Sequence, residues 1–290
     1  MVDFIQYLIS GLTVGAIYAL AGLGFSIIYN GSGVINFAQG EFIMIGSMGT
    51  ATLAASGVPL PLAVLGGVLG ATVAGAFIAR VVIGRSRDAP QVSLIIITVG
   101  ASIFLRGVAE LVWDKDIHRL DAFSGDVPIR LMGATMMLQS LWVLGTALAM
   151  IALVAVFFTR TMAGRAMLAA SYNRLAAQLV GIDPRLVTLV AFSLAAALGA
   201  VGGAVATPIT FASSDMGVML GLKGFSAAML GGLGNGPGAV AGGLIVGIAE
   251  ALTAGYLSSA YKDAVAFVII ILVLVFQPSG LFGRRGSERV

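Results

Sequence analysis

The chain has 290 residues, 59% of them hydrophobic and only 10% charged, with a mean hydropathy of +1.03. Soluble domains carry about one quarter charged residues, so this sequence lacks the polar side chains to cover a water-exposed globule and reads as a polytopic membrane protein. The net charge of +3 says little as a total, and the placement of the charges says more. The apolar runs are continuous rather than alternating over segments of about 10 residues, which excludes an outer-membrane barrel and leaves an all-α bundle. With no cysteine there is no disulfide or thiolate metal site, and the single histidine, His118, builds no multi-histidine site. No metal, cofactor or nucleic-acid partner is expected.

The first apolar run goes from Phe4 to about Tyr29. It is too long for a signal h-region and follows Asp3 where a signal peptide would carry Lys or Arg, so it is expected to be a retained span. The polar, glycine-rich stretch 30–40 leads into a short second run, about 41–56. Pro59 and Pro61 open a third run to about Ile83; Arg85, Arg87 and Asp88 separate it from a fourth, about 92–112. Residues 113–139 form the longest polar segment, with Asp114, Lys115, Asp116, His118, Arg119, Asp121 and Asp126. A fifth run covers 140–159.

Between the fifth and sixth runs lies GRAMLAASYNRLAAQLVGIDP, Gly164–Pro184. Here Leu168, Tyr172, Leu175, Leu179 and Ile182 recur at steps of four and three, which at about 100° per residue places them on one stripe of a predicted amphipathic helix. Gly181 and Pro184 are the expected stop signals. The sixth run covers about 186–206, a seventh interrupted by Lys223 about 216–233, an eighth about 239–256 and a ninth about 260–276, before a basic tail.

Lys and Arg are retained on the cytoplasmic side of membrane proteins. Nine crossings put Arg85/Arg87, Arg160/Arg165/Arg174/Arg185 and Arg284/Arg285/Arg289 on one side, with Lys115, Arg119, Arg130 and Lys262 opposite and diluted by acids. The N-terminus is then expected outside, and the C-terminus and the 164–184 helix in the cytoplasm. Eight or nine membrane segments follow, the second and seventh being short or re-entrant. The same threading predicts an inverted repeat: 4–112 as first repeat, 113–139 as outer loop, 140–159 as linking span, 160–187 as cytoplasmic loop, 188–277 as second repeat and 278–290 as tail. Gly33-x-x-x-Phe37-Ala38 and Gly221-x-x-x-Phe225-Ser226 are a faint echo between the two short runs. Gly11/Gly15, Gly66/Gly70, Gly199/Gly203, Gly238/Gly242 and Gly243/Gly247 have the small-xxx-small spacing expected of close helix crossings.

Charge inside a span is costly and is either paired or functional. Arg106 and Glu110, four apart, are expected to pair along one helix. Glu41, Lys223 and Glu250 admit three readings: an ion pair between helices that holds the halves together, with Glu41 and Lys223 in the two interrupted runs, side chains lining a solute pathway, or placement at the membrane interface. Asn36, Gln39 and Glu41 stand at the start of a span and either cap it or meet a carboxylate-bearing solute at the helix N-terminus. No Walker loop, H-E-x-x-H or G-x-S-x-G is present, so no catalytic residues are assigned.

GLTVGAIYALAGLGFSIIYNGSGVINFAQGEF at 11–42 and LKGFSAAMLGGLGNGPGAVAGGLIVGIAEAL at 222–252 resemble the signatures of LivH-type permeases, the membrane subunits of branched-chain amino acid ABC importers. The loop GRAMLAASYNRLAAQLVGID resembles their cytoplasmic loop. The resemblance implies a bacterial inner-membrane complex of two permeases, the second a divergent LivM-like chain, with two cytoplasmic ATP-binding subunits and a periplasmic substrate-binding protein. It also implies that the loop helix, with Arg165, Leu168, Tyr172, Asn173, Leu175, Leu179, Gly181, Ile182 and Asp183, docks on an ATPase. Many relatives carry acids where Tyr172 and Asn173 stand, so a salt bridge from those positions is not expected here. Family solutes include leucine, isoleucine and valine, while sister systems carry urea, short amides or aromatic acids. The competing reading is an ion-coupled secondary transporter using Glu41, Lys223 or Glu250.

Overall fold

The computed structural model describes residues 2–86, 89–125, 127–131 and 133–283. The charges counted above at Arg87, Asp88, Asp126, Arg284, Arg285 and Arg289 lie outside the described residues. The helices are α1 (Val2–Ser32), α2 (Gln39–Ala55), α3 (Leu60–Phe77) continued by a π-helical turn (Ile78–Ile83), α4 (Gln91–Trp113), α5 (Leu138–Arg160), α6 (Met162–Tyr172), α7 (Arg174–Leu179), α8 (Pro184–Thr210), α9 (Met216–Gly231), α10 (Gly236–Tyr256) and α11 (Lys262–Phe276). Among the described residues seven helical segments are long and apolar enough to cross a membrane. The second and seventh runs give the short helices α2, of 17 residues, and α9, of 16.

The acidic segment holds an element that its composition did not signal. Strands β1 (Pro128–Leu131) and β2 (Ala134–Met137) pair antiparallel, with Ile129 opposite Met136 and Arg130 opposite Thr135. Contacts sort the connections between two ends of the bundle. At one end Gln6 of α1 bonds Thr135, the rings of Tyr7 and Tyr256 meet edge to face, and His118 bridges Ala212 through backbone bonds. At the other, Asn30 donates to the Gly234 carbonyl, Gln91 to Gly33, and Asn235 to Phe282. Arg85, Arg160, Arg165, Arg174 and Arg185 belong to the second end, while Arg119 and Arg130 lie with the acids of the 113–139 loop at the first.

The core is built on α1 and α8. In their most apolar stretches 89% and 67% of residues are buried, against 17% in α4 and α5 and 11% in the last span. α1 lies against α10, α8 and α9, while α8 lies against α2 and α3. Glycine sets how closely these axes approach. A Cβ on Gly11 would lie 2.7 Å from the Ile248 Cα, and one on Gly15 would lie 2.9 Å from the Leu244 Cα. Gly243 and Gly247 press on Ala19 and Gly15 in return. Such crossings need small residues because lipid supplies no hydrophobic drive for helix association. The pair Gly66/Gly70 is not one of them: a Cβ there would meet only side chains of Leu53 and Ile45. The crossing belongs to Gly67, against the Gly46 carbonyl at 2.7 Å.

The short helices meet at their N-terminal turns, where Gly40 of α2 faces Gly217 and Gly221 of α9. The echo between Gly33–Ala38 and Gly221–Ser226 therefore does not mark equivalent positions. Gly33 and Phe37 lie in the connection before α2, whereas Gly221 and Phe225 lie inside α9. The two phenylalanines touch nonetheless, with ring centroids 5.3 Å apart.

Overpacking a tight core costs about 1–3 kcal/mol, and Gly247→Leu drives its new atoms into α1 backbone. We expect it to lower the thermal unfolding midpoint in detergent. Gly145→Leu, where no heavy atom lies within 4 Å of an added Cβ, should leave the midpoint unchanged.

Candidate functional site

The connection 33–38 runs inside the bundle, where irregular backbone must find its partners within the protein. Asn36 Oδ1 accepts the Ala38 N–H at 3.1 Å, and Thr98 of α4 donates to the Ile35 carbonyl at 3.2 Å while accepting the Phe37 N–H at 3.3 Å. Gln39 then reaches across to donate to the Ala195 carbonyl of α8 at 3.0 Å. Glu41 accepts a 2.7 Å bond from Ser102 of α4. Asn36, Gln39 and Glu41 are all buried, and each keeps one polar atom, Nδ2, Oε1 and Oε2 respectively, without a partner among the described residues.

Glu41 Oε2 lies against the first turn of α9, 2.7 Å from where a Cβ of Gly217 would stand. The carboxylate thus sits in the first turn of its own helix and beside the N-terminus of another. Unsatisfied N–H groups there carry partial positive charge and favour an anion. Among the described residues Glu41 makes no ion pair, and the one hydrogen bond to its carboxylate comes from Ser102.

Lys223 is not its partner. The ammonium binds Glu250 at 2.8 Å and Asp263 at 2.6 Å, and the Tyr18 hydroxyl donates to the second oxygen of Glu250 at 2.8 Å. Lys223 also lies 5.4 Å from the centre of the Tyr18 ring. Six residues separate it from Gly217, about 9 Å along the helix, which takes it away from Glu41. The expected bridge between the interrupted helices is therefore replaced by a cluster joining α1, α9, α10 and α11.

The Arg106–Glu110 pair is not made either. Arg106 faces Asp215 at 3.7 Å, and Glu110 pairs with Lys115 at 3.2 Å. Thr98, Ser102 and Arg106 form a polar stripe of α4 turned toward 35–41 and the start of α9. Their four-residue spacing is the sign of it in the sequence, where each hydroxyl alone looks like an ordinary small residue of a span. Asp263 and Tyr18 carry no such sign, because only the fold brings them to Glu250.

The single helix expected over Gly164–Pro184 is two. Asn173 adopts extended backbone (φ −154, ψ 103) and its Oδ1 accepts the Ala176 N–H at 2.9 Å, so it caps α7 and breaks the helix. Asn at an N-cap satisfies an orphan donor that a continuous helix would not leave. Gly181, at φ 88, ends α7 as Ile182 N–H bonds the Ala177 carbonyl, and Asp183 caps α8 through the Arg185 N–H at 2.8 Å. The break divides the predicted stripe. Leu168 and Ile182 turn partly inward, while Leu175 and Leu179 are 74% and 86% exposed, with Tyr172, Val180 and Leu186 also exposed. Arg165 donates to the Arg160 carbonyl, and Arg174 to the Ser32 carbonyl at the end of α1, each at 3.4 Å. Among the described residues no group of three His, Asp or Glu could hold a metal ion.

A family model described as "Branched-chain amino acid transport system / permease component" matches residues 7–274. The chain is 38% identical to the high-affinity branched-chain amino acid transport system permease protein LivH of Escherichia coli, covering 99% of this chain and 98% of that protein. It is 35% identical to the corresponding permease protein BraD of Pseudomonas aeruginosa, with the same coverage. A chain of PsaBC from Streptococcus pneumoniae, solved in complex with Fab, superimposes with a TM-score of 0.52 at 15% identity, over 96% of this chain and 93% of that one. That likeness shows a shared fold.

Removing one member of a buried ion pair costs about 3–5 kcal/mol because a charge is left stranded. Lys223→Leu should therefore lower the unfolding midpoint strongly. Adding Glu250→Leu to it should restore much of the loss, since the remaining Asp263 is 40% exposed and can hydrate. Equal midpoints for the single and double variants would contradict the assignment.

Proposed function

The chain belongs to the family of branched-chain amino acid transport permease components, and we propose that it is the membrane-spanning subunit of an ABC importer, driven by ATP hydrolysis in partner subunits. The single observation that carries this reading is α7. A six-residue helix with Leu175 and Leu179 turned out of the protein, at the arginine end of the bundle, needs a partner to cover it. A lipid surface fits poorly, because interfacial helices carry Lys- and Arg-rich polar faces, and α7 has only Arg174, already directed at Ser32.

In this reading the arginine end is cytoplasmic, the hairpin end receives a substrate-binding protein, and a second permease completes the pathway. Two ATP-binding subunits grip the α6–α7 elements of the pair. Their closure moves α7, and the Arg174 bond to Ser32 passes that motion to the end of α1, where the chain turns into 33–38 and α2. The proposed inverted repeat relates α1–α4 to α8–α11. It is supported by reciprocal packing: α1 lies on α10 as α8 lies on α3, α2 on α3 as α9 on α10, and α2 meets α9 at Gly40 and Gly217. Rocking of the two halves about that contact would open the bundle alternately to each side. Asn36, Gln39 and Glu41 lie beside this pivot and are the pathway or gating residues of the proposal. The solute is a branched-chain amino acid or a related small molecule, selected largely by the binding protein.

The ion-coupled alternative is weakened by the pairing of Lys223 and Glu250 with each other, with Asp263 and with Tyr18. It predicts that collapsing the proton gradient at constant ATP stops uptake; the ABC reading predicts that uptake continues. Leu175→Asp should abolish ATP-driven uptake and the stimulation of ATP hydrolysis by loaded binding protein, while the amount of inserted protein stays the same. Unchanged uptake in that variant would remove α7 from the mechanism.

A further inference from the structure

At the arginine end, the π-helical turn that extends α3, the turn after it and the first turns of α8 enclose a cleft of about 710 Å³. Arg80, Arg85 and Arg185 line it with Asp183, Leu186 and Leu189. None of the three arginine side chains has a hydrogen bond or ion pair among the described residues. The Asp183 carboxylate is engaged by the Arg185 N–H as the cap of α8. Among the described residues three guanidinium groups thus share one cleft with a single carboxylate, a net positive charge that calls for an anion. Guanidinium groups hold phosphate oxygens through paired, charge-assisted bonds.

The surroundings specify what carries that phosphate. Leu62, Leu65, Leu69, Val73 and Phe77 are all exposed and recur at steps of three and four, forming one apolar stripe along α3. The stripe ends at Arg80. There the helix widens, with Gly84 N–H bonding the Ala79 carbonyl five residues back, and such π turns recur at functional sites. An apolar face the length of a span that runs into a basic cleft matches acyl chains with a phosphate at their end. We propose that this cleft binds the headgroup of an anionic phospholipid, its phosphodiester between Arg80, Arg85 and Arg185 and its chains along the α3 stripe. A zwitterionic lipid fits less well, because among the described residues three guanidinium groups outnumber the one carboxylate in the cleft and repel its ammonium. The proposal rests on the chain spanning a bilayer and not on ATP-driven coupling.

The test is native mass spectrometry of the chain purified with its native partners, after equilibration with phosphatidylglycerol or phosphatidylcholine vesicles. The wild type should retain phosphatidylglycerol preferentially, and excess inorganic phosphate should not displace it. The variant Arg80→Gln/Arg85→Gln/Arg185→Gln should lose the preference with its subunit composition unchanged. Leu189→Trp, which adds bulk to the lining and keeps every charge, should lose it too. Preferential retention by both variants would overturn the proposal. Displacement by inorganic phosphate would assign the cleft to a soluble anion instead. Loss of partner subunits from the arginine variant with lipid retained would assign it to a protein contact.

Discussion

Two short helices whose N-terminal ends meet, α2 starting at buried Ala38 and Gln39 and α9 after exposed Asp215, impose the constraint on which the rest of this structure depends. The first turn of each leaves backbone N–H groups without helical partners, and in a bilayer no water is at hand to take them. Here the first turns of α2 and α9 are brought together, backbone against backbone, at Gly40, Gly217 and Gly221, and the Glu41 carboxylate is set between them. No side chain larger than hydrogen fits at Gly40 or Gly217. The connection leading into α2 is satisfied by Asn36 and by Thr98 of α4. α1 and α8 flank this centre as the most buried spans, and the other helices are arranged around those two.

The two halves of the proposed repeat are not tied in the same way. In the second, a cation buried between two carboxylates fixes α9 to α10 and α11, with Tyr18 adding α1. In the first, α4 holds α2 through single hydroxyl bonds, and Arg106 reaches Asp215 only at 3.7 Å and at an exposed position. Exposed pairs of that kind contribute about 0–1 kcal/mol. In the proposed transporter the tighter half moves as a unit, and the connection 33–38, next to the Arg174–Ser32 bond, is the softer link.

Much of this was legible in the sequence because apolar run length is a local property. Each run from Phe4 to Phe276 became a helix, with ends shifted by a few residues, and the two short runs became the two short helices. The threading of those runs also put Arg85, Arg160, Arg165, Arg174 and Arg185 at one end and the 113–139 loop at the other, which is where their contacts lie. What escaped depends on partners distant in the chain. Lys223 and Glu41 look complementary when only their runs are known, yet six residues of helical rise separate Lys223 from the contact where Glu41 sits. Asn173 fits the helical period of its neighbours, but its side chain competes for the backbone and divides the helix. Gly66 and Gly70 have the spacing of a crossing, and it is Gly67 whose face of α3 meets α2. Neither the hairpin 128–137 nor the π turn has a periodic signature.

In the proposed complex an ATP-binding subunit covers the exposed face of α7. The chain contains no cysteine, so Leu179→Cys places a single thiol on that face. The direct measurement is its rate of reaction with a membrane-impermeant maleimide in the chain alone and in the assembled complex. Rapid labelling of the chain alone and strong protection on assembly with the ATP-binding subunits are expected. Equal rates in both states would contradict the proposed contact.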